Sequence, residues 1–149
     1  MIEIRKVTGD RRRYLPLLLL ADEQLDMVER YLDRGELWAL DDGSGVVAVC
    51  LVTDEGEGVA EVKSLAVDPA CQGRGYGRAL LDFAATRYAG EFVALQVGTG
   101  DSPLTVPFYE RCGFVRHHVA KSFFADNYDH PIWEGGVLLQ DMVYLRKAL

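Results

Sequence analysis

Residues 71–81 read CQGRGYGRALL. Three glycines at alternate positions, Gly73, Gly75 and Gly77, run into a helical pattern, and Arg74 and Arg78 lie among them. A helix start exposes unpaired backbone N–H groups and the positive end of the helix dipole. Glycine lets a ligand approach that backbone closely. The stretch therefore reads as an anion cradle that opens a helix. Leu80, Leu81, Ala84, Ala85 and Tyr88 continue it at helical spacing, and Gly90 closes it. VAEVKSLAV, residues 59–67, precedes it as a strand. A dinucleotide fold wants G-x-G-x-x-G directly after a strand, and a P-loop wants G-x-x-x-x-G-K-[ST]. The spacing here is G-x-G-x-G, with DPACQ between strand and loop, and fits neither.

Outward from this unit the chain alternates strands and helices. Residues 2–7 alternate as a first strand. Two short helices follow, the first tolerating Pro16 in its first turn. The second has Asp22 as N-cap, an apolar stripe of Leu25, Val28, Tyr31 and Leu32, and Gly35 at its end. ELWAL and VVAVCLVT form a hairpin around DDGSG, and DEGEG turns into residues 59–67. FVALQV is the next strand. DSPLTVPFYERC reads as a helix capped by Asp101 or Ser102 with Pro103 at its first position. Pro107 should kink it, because an interior proline removes a hydrogen bond and clashes with the preceding turn. FVRHHVAKSFF and VLLQDMVYLR read as two last strands. The order β-α-α-β-β-β-α-β-α-β-β makes a single α/β domain over residues 1–149, with a mixed sheet.

Composition narrows the function classes. The chain has 149 residues, 49% hydrophobic and 26% charged, the profile of one ordinary globular domain. A formal net charge of -7 argues against a general nucleic-acid binder. Cys50, Cys71 and Cys112 are widely spaced and odd in number, so neither a zinc site nor a disulfide framework is indicated. Reduced thiols in the cytoplasm are expected. RRRYLPLLLLA imitates a signal peptide, but a strand-like segment precedes it and no small-residue cleavage site follows. The apolar run is far shorter than the roughly 20 residues that span a membrane.

VKSLAVDPACQGRGYGRALL resembles the acyl-CoA-binding segment of the GNAT superfamily of N-acetyltransferases. Gln72, Gly75 and Gly77 fill its Q/R-x-x-G-x-G/A pattern. Downstream, PFYERCGF resembles the family's second signature through Tyr109, Gly113 and Phe114. The resemblance covers nearly the whole chain. It implies a mostly antiparallel sheet of six to seven strands flanked by about four helices. It also implies acetyl-CoA as co-substrate, no metal, a small-molecule or peptide amine as acceptor, and compatibility with a homodimer. The anion then becomes the pyrophosphate of coenzyme A, cradled by N–H groups of Gly73, Arg74, Gly75, Tyr76, Gly77 and Arg78. The resemblance also implies that the pantetheine arm pairs with backbone along Leu65, Ala66 and Val67, where the strand splays from its neighbour. Ser102 stands where many relatives carry a helix-opening Asn.

Acetyl transfer needs a neutral amine, a polarised thioester carbonyl and a proton for the departing thiolate. Tyr109 occupies the position of the family's general acid. Glu61, a carboxylate in a central-looking strand, is the base candidate, and lies eleven residues before Gln72 as the catalytic glutamate does in several relatives. Simple alternation would place Glu61, Lys63, Leu65 and Val67 on one face. A Glu61–Lys63 ion pair is the competing reading. His117 and His118 are adjacent on one strand and so should face opposite sides. Residues 125–136, ADNYDHPIWEGG, form a long connection carrying Asp126, Asp129, Glu134, Tyr128, His130 and Trp133. Acidic and aromatic groups together suit an amine, with Glu23 and Asp26 lining the opposite wall. The second functional reading is a CoA-binding regulatory or interaction module with little turnover, since fold does not fix function.

Overall fold

A computed structural model describes all of residues 1–149. Nine strands and five α-helices alternate: β1 (Glu3–Lys6), α1 (Leu15–Ala21), α2 (Leu25–Glu29), β2 (Glu36–Asp41), β3 (Val46–Asp54), β4 (Val59–Val67), α3 (Tyr76–Tyr88), β5 (Ala94–Gly100), α4 (Val106–Arg111), β6 (Val115–Ala120), α5 (Phe123–Asn127), β7 (Trp133–Glu134), β8 (Val137–Leu138) and β9 (Met142–Ala148). Seven strands form one sheet in the order β1-β2-β3-β4-β5-β9-β6, and β7-β8 make a separate hairpin. Every pairing in the large sheet is antiparallel except β4–β5. That parallel step needs a crossover, and α3 supplies it.

The sheet separates two apolar layers. On one side Leu80, Leu81 and Ala84 of α3 and Val106 and Tyr109 of α4 pack on Ala60, Val62, Leu95 and Val97. On the other side Leu18 of α1 and Val28, Tyr31 and Leu32 pack on Leu37, Val49, Leu51 and Ala66. Burying each such side chain is worth about 1.5–3 kcal/mol. Arg11 fastens the second layer by donating to the carbonyls of Leu32 (3.0 Å), Arg34 (2.7 Å) and Gly35 (2.7 Å). A third, small cluster of Phe124, Ile132 and Leu139 holds the segment between β6 and β9. No helix is long and apolar enough to cross a membrane.

Two features position the site. First, β4 and β5 pair only from Val59–Ala94 to Val62–Val97, and then diverge. Second, β4 carries a register shift against β3, where Leu51 opposes Ser64 and Val52 opposes Val62, leaving Lys63 unpaired. This bulge reverses the alternation. Ala60, Val62, Leu65 and Val67 contact the α3–α4 layer, whereas Ala66 belongs to the α1–α2 layer. Glu61 and Lys63 therefore point away from the face used by Leu65 and Val67, and the expected shared face of all four is corrected.

Other local expectations change for similar reasons. Asp22 is the C-cap residue of α1, not the N-cap of α2, which is Gln24. α4 begins at Val106, so Pro107 falls in its first turn and no kink is needed. Ser102 instead closes a turn ahead of the helix, its Oγ accepting from Leu104 N at 3.0 Å. A register shift in β6 between Arg116 and His118 brings the two histidines together, Nδ1 to Nδ1 at 2.8 Å. They do not face opposite sides. His118 also stacks on Tyr144, with ring centroids 4.5 Å apart. The two last strands are shorter than their apolar runs suggest, and α5 and the β7–β8 hairpin fill the space between them.

Candidate active site

The glycine loop is shaped by backbone. Gly73 and Gly75 have φ of +81° and +83°, a region that L side chains rarely adopt. Gly75 is the N-cap of α3. A Cβ at either position would meet nothing within 4 Å, so the space over the loop is open. The N–H groups of the first turn of α3 are thus free to meet an anion. Gly77 differs: its Cβ would lie 3.4 Å from Phe108 Cζ and within 4 Å of Val67 and Leu65. The helix can lie close to β4 there because the side chain is missing.

A cleft of about 430 Å³ runs from this loop to Tyr109. Leu65, Val67, Gln72, Gly73, Gly75, Tyr76, Gly77 and Arg78 line it, joined by Leu104, Thr105 and Phe108, which sequence reasoning did not select. Gln72 Nε2 donates to the Val67 carbonyl at 3.3 Å and fixes the loop to the strand end. Three other candidates lie elsewhere. Ala66 faces the α1–α2 layer, Arg74 is exposed and does not line the cleft, and the Ser102 hydroxyl is used by its own turn.

Tyr109 is buried, packed edge-on against Phe108 and Phe114. Burial, reinforced by nearby Cys50, Cys112 and Glu134, pushes its phenol well above the ordinary range. Its ring lines both the cleft and a second cavity of about 330 Å³. That second cavity lies where β4 and β5 diverge, and Lys63, Ser64, Gly98, Thr99 and Gly100 form its floor. Asp22 and Glu23 come from the end of α1, and Tyr128, Trp133 and Glu134 from the segment before β9. Gly98 and Gly100 lie within β5 under the side chains of Tyr144 and Leu139; a Cβ would approach Tyr144 Cε1 to 2.9 Å and Leu139 Cδ1 to 2.6 Å.

The acidic groups here are held differently. Glu61 is 5% exposed, and both its oxygens are engaged. Gln96 Nε2 donates to Oε1 at 2.6 Å, and Lys63 Nζ lies 2.8 Å from Oε2. Gln96 in turn accepts from Arg146 Nε at 2.8 Å. Burial draws the Lys63 ammonium down, but the Glu61 hydrogen bond and the charges of Glu61 and Glu55 outweigh it and leave Lys63 raised. Asp22 accepts from the hydroxyls of Tyr128 (2.7 Å) and Tyr31 (3.4 Å). Desolvation outweighs these bonds and raises its carboxyl above the usual range. Glu23 meets His130 Nε2 at 2.9 Å, while His130 Nδ1 meets Asp129 at 2.6 Å. Asp26 does not line the cavity; it accepts from Gln24 Nε2. Asp126 and Asp129 are exposed. No group of three or more His, Cys, Asp or Glu side chains is placed to hold a metal ion.

A strand, a glycine loop and a crossover helix thus lie beside a split parallel pair, with a buried tyrosine at the split. The profile of the acetyltransferase (GNAT) domain matches residues 33–116. The chain is 34% identical to the uncharacterized N-acetyltransferase YvbK of Bacillus subtilis (strain 168), over 97% of this chain and 93% of that protein. It is 31% identical to a GNAT family acetyltransferase from Elizabethkingia anophelis solved with acetyl-CoA bound, with a TM-score of 0.91 over 99% of this chain and 98% of the other. A Bacillus subtilis acetyltransferase in complex with CoA matches at 29% identity and a TM-score of 0.92, over 100% and 99% of the two chains. The protein belongs to the GNAT family of acetyltransferases.

Proposed function

We propose that this enzyme acetylates a primary amine, of a small molecule or a peptide, by direct attack of the amine on the thioester of acetyl-CoA. In this reading the pyrophosphate rests on the glycine loop, and the pantetheine arm follows Leu65 and Val67 along the unpaired edge of β4. The thioester then reaches Tyr109, and the acceptor enters from the cavity lined by Asp22, Glu23 and Glu134. The observation that carries the reading is Tyr109: a buried phenol, without a protein hydrogen bond, at the junction of the two cavities.

The phenol's chemistry suits the leaving group. Burial keeps it protonated across the neutral range. A thiolate forming in the same low-dielectric pocket is made more basic by the same desolvation, so its basicity keeps pace with the weakened acidity of the phenol and the proton can still pass. The cysteines do not favour an acyl-thiol intermediate. Cys50 and Cys112 are buried in the core, and burial pushes the Cys50 thiol up to about 12. Cys71 lies at the glycine-loop end of the cleft.

A thiol-release assay with acetyl-CoA and four amine probes tests the proposal: spermidine, tyramine, glucosamine and a peptide with a free N-terminus. At least one probe should accelerate release severalfold over the hydrolytic background and appear as its N-acetyl product. Acetyl-CoA binding without acceleration by any probe would favour the regulatory-module reading.

A further inference from the structure

Two side-chain polar atoms that are wholly shielded from solvent lack a hydrogen-bond partner, Ser64 Oγ and Glu134 Oε1. Both residues line the cavity that Tyr109 shares with the glycine-loop cleft. Folded proteins rarely leave such atoms unsatisfied, and the cost of doing so is about 1–3 kcal/mol, more for a charged group. Their coincidence at one place marks a pocket built for a hydrogen-bonding ligand. Ser64 is 4% exposed, and its Oγ approaches the Tyr31 hydroxyl without reaching hydrogen-bond geometry.

The other acids of this cavity, and Glu61 in β4 just outside it, already have partners. Glu61 is bound to Lys63 and Gln96, Asp22 to two tyrosine hydroxyls, and Glu23 to His130. Glu134 forms no ion pair and no side-chain hydrogen bond, and one of its oxygens is fully buried. Its position is nevertheless fixed. Trp133 and Glu134 pair with Leu138 and Val137 across a two-residue Gly135–Gly136 turn, with φ of +58° and +78°. The tip of that hairpin rests on the turn before α4: a Cβ at Gly135 would lie 3.1 Å from Leu104 Cγ and 3.2 Å from Pro103 Cγ. This packing places the carboxylate beside the helix that carries Tyr109, and its charge helps hold the phenol protonated.

We propose that Glu134 is the catalytic base of the reaction: its free carboxylate oxygen binds the acceptor's ammonium and takes one proton from it. This rests on the amine-acetylating function proposed above. The steps balance. The ammonium gives one proton to Glu134, and the neutral nitrogen bonds to the acetyl carbon. The C–S bond then breaks with its electron pair on sulfur, and Tyr109 passes its proton to the thiolate. The nitrogen's second proton restores the phenol, and Glu134 releases the first to solvent. The products are the amide, the CoA thiol and one proton. The titratable groups that line the same cavity as this carboxylate are Tyr109 from α4, Lys63 from β4, Asp22 and Glu23 just after α1, and Tyr128 from the segment after α5. Lys63 is the one cation among them, and it is committed to Glu61 at 2.8 Å and Glu55 at 3.5 Å.

The test is the pH dependence of kcat/KM for the best of the four amine probes, from pH 6 to pH 10. It compares wild type with Glu134→Gln, Glu134→Asp and Glu61→Gln, with acetyl-CoA affinity and Tm measured beside it. Glu134→Gln should lower kcat/KM about 10²-fold at pH 7, with the deficit closing toward pH 10, where the amine loses its own proton. Acetyl-CoA affinity should stay at the wild-type value, and Tm should not fall, because the variant removes an unpartnered charge. Glu134→Asp should recover part of the rate. Glu61→Gln should instead lower Tm and give a deficit independent of pH. Wild-type kcat/KM in Glu134→Gln at pH 7, a Glu134→Gln deficit that is constant with pH, or a deficit closing at high pH only in Glu61→Gln would overturn the assignment. Absence of wild-type turnover on every probe would overturn the proposed function itself, and this assignment with it.

Discussion

The two walls of the site are made of different material. The wall assigned to acetyl-CoA is mostly backbone and nearly continuous in sequence, from Leu65 through the glycine loop to Arg78. The wall assigned to the acceptor is made of side chains from distant places: Asp22 and Glu23, Lys63 and Ser64, then Tyr128, Trp133 and Glu134. A backbone surface depends on a few dihedral angles and tolerates many side chains. A side-chain surface depends on single polar atoms and on their protonation. The difference fits an enzyme whose donor is shared across a family while its acceptor is particular.

Substitutions can break or sharpen that contrast. The largest effect is expected where the walls meet. Tyr109→Phe keeps the ring that packs on Phe108 and Phe114 and removes only the hydroxyl, so turnover should fall about 10²–10⁴-fold while calorimetric acetyl-CoA affinity stays unchanged. Full turnover with chemistry rate-limiting would take Tyr109 out of the reaction. A smaller loss, confined to the backbone wall, is expected of Gly75→Val. A non-glycine residue in the left-handed region costs about 1–2 kcal/mol, and about 1.4 kcal/mol is a factor of ten. The acetyl-CoA Kd should rise roughly tenfold or more with the circular-dichroism spectrum of the fold retained; an unshifted Kd would mean that the loop's conformation does not hold the donor.

The smallest effect is expected at the acceptor wall's outer edge. His130 bridges Asp129 and Glu23, whose hydrogen bonds raise its pKa above the ordinary value. A histidine whose folded pKa is raised stabilises the fold fully below its unfolded pKa of about 6.5, and that contribution is lost as pH rises through the folded value. His130→Gln should therefore lower Tm by more at pH 5.5 than at pH 9. The imidazole is exposed, so a shift of a few degrees at most is expected. An equal Tm difference at both pH values would show that the bridge carries no charge-dependent stability.

The same contrast explains what the sequence disclosed. The glycine loop, β4 and α3 follow from local rules of glycine spacing, helical periodicity, and Gly- and Asp-rich turns, whereas the mostly antiparallel sheet of six to seven strands follows from the family resemblance. Tyr109 followed from its motif. The bulge at Lys63 did not, because VAEVKSLAV alternates plausibly in either register, and only pairing with β3 selects the observed one. The histidine pair in β6 departs from simple alternation for the same reason, a register shift that only pairing with β9 reveals. Asp22 looked like a helix cap because its partners, the Tyr31 and Tyr128 hydroxyls, include one 106 residues away. One missed signal was local. Two glycines between Trp-Glu and Val-Leu mark a two-residue hairpin, and reading it would have divided the long acidic connection and singled out Glu134.

The divergence of β4 from β5 has a consequence for how the molecule holds together. The large sheet is two half-sheets, β1 to β4 and β5-β9-β6, joined by four residue pairs from Val59–Ala94 to Val62–Val97. Beyond that seam the α3 crossover, α4, the end of α1, α2 through Arg30 and the segment before β9 bridge them. The donor's extended arm, lying along the open edge, would stand in as a missing strand and tie two cooperative units into one. Amide hydrogen exchange along residues 63–67 and 98–100 would then report on occupancy directly, fast when the seam is open and slow when the substrate has sewn it shut.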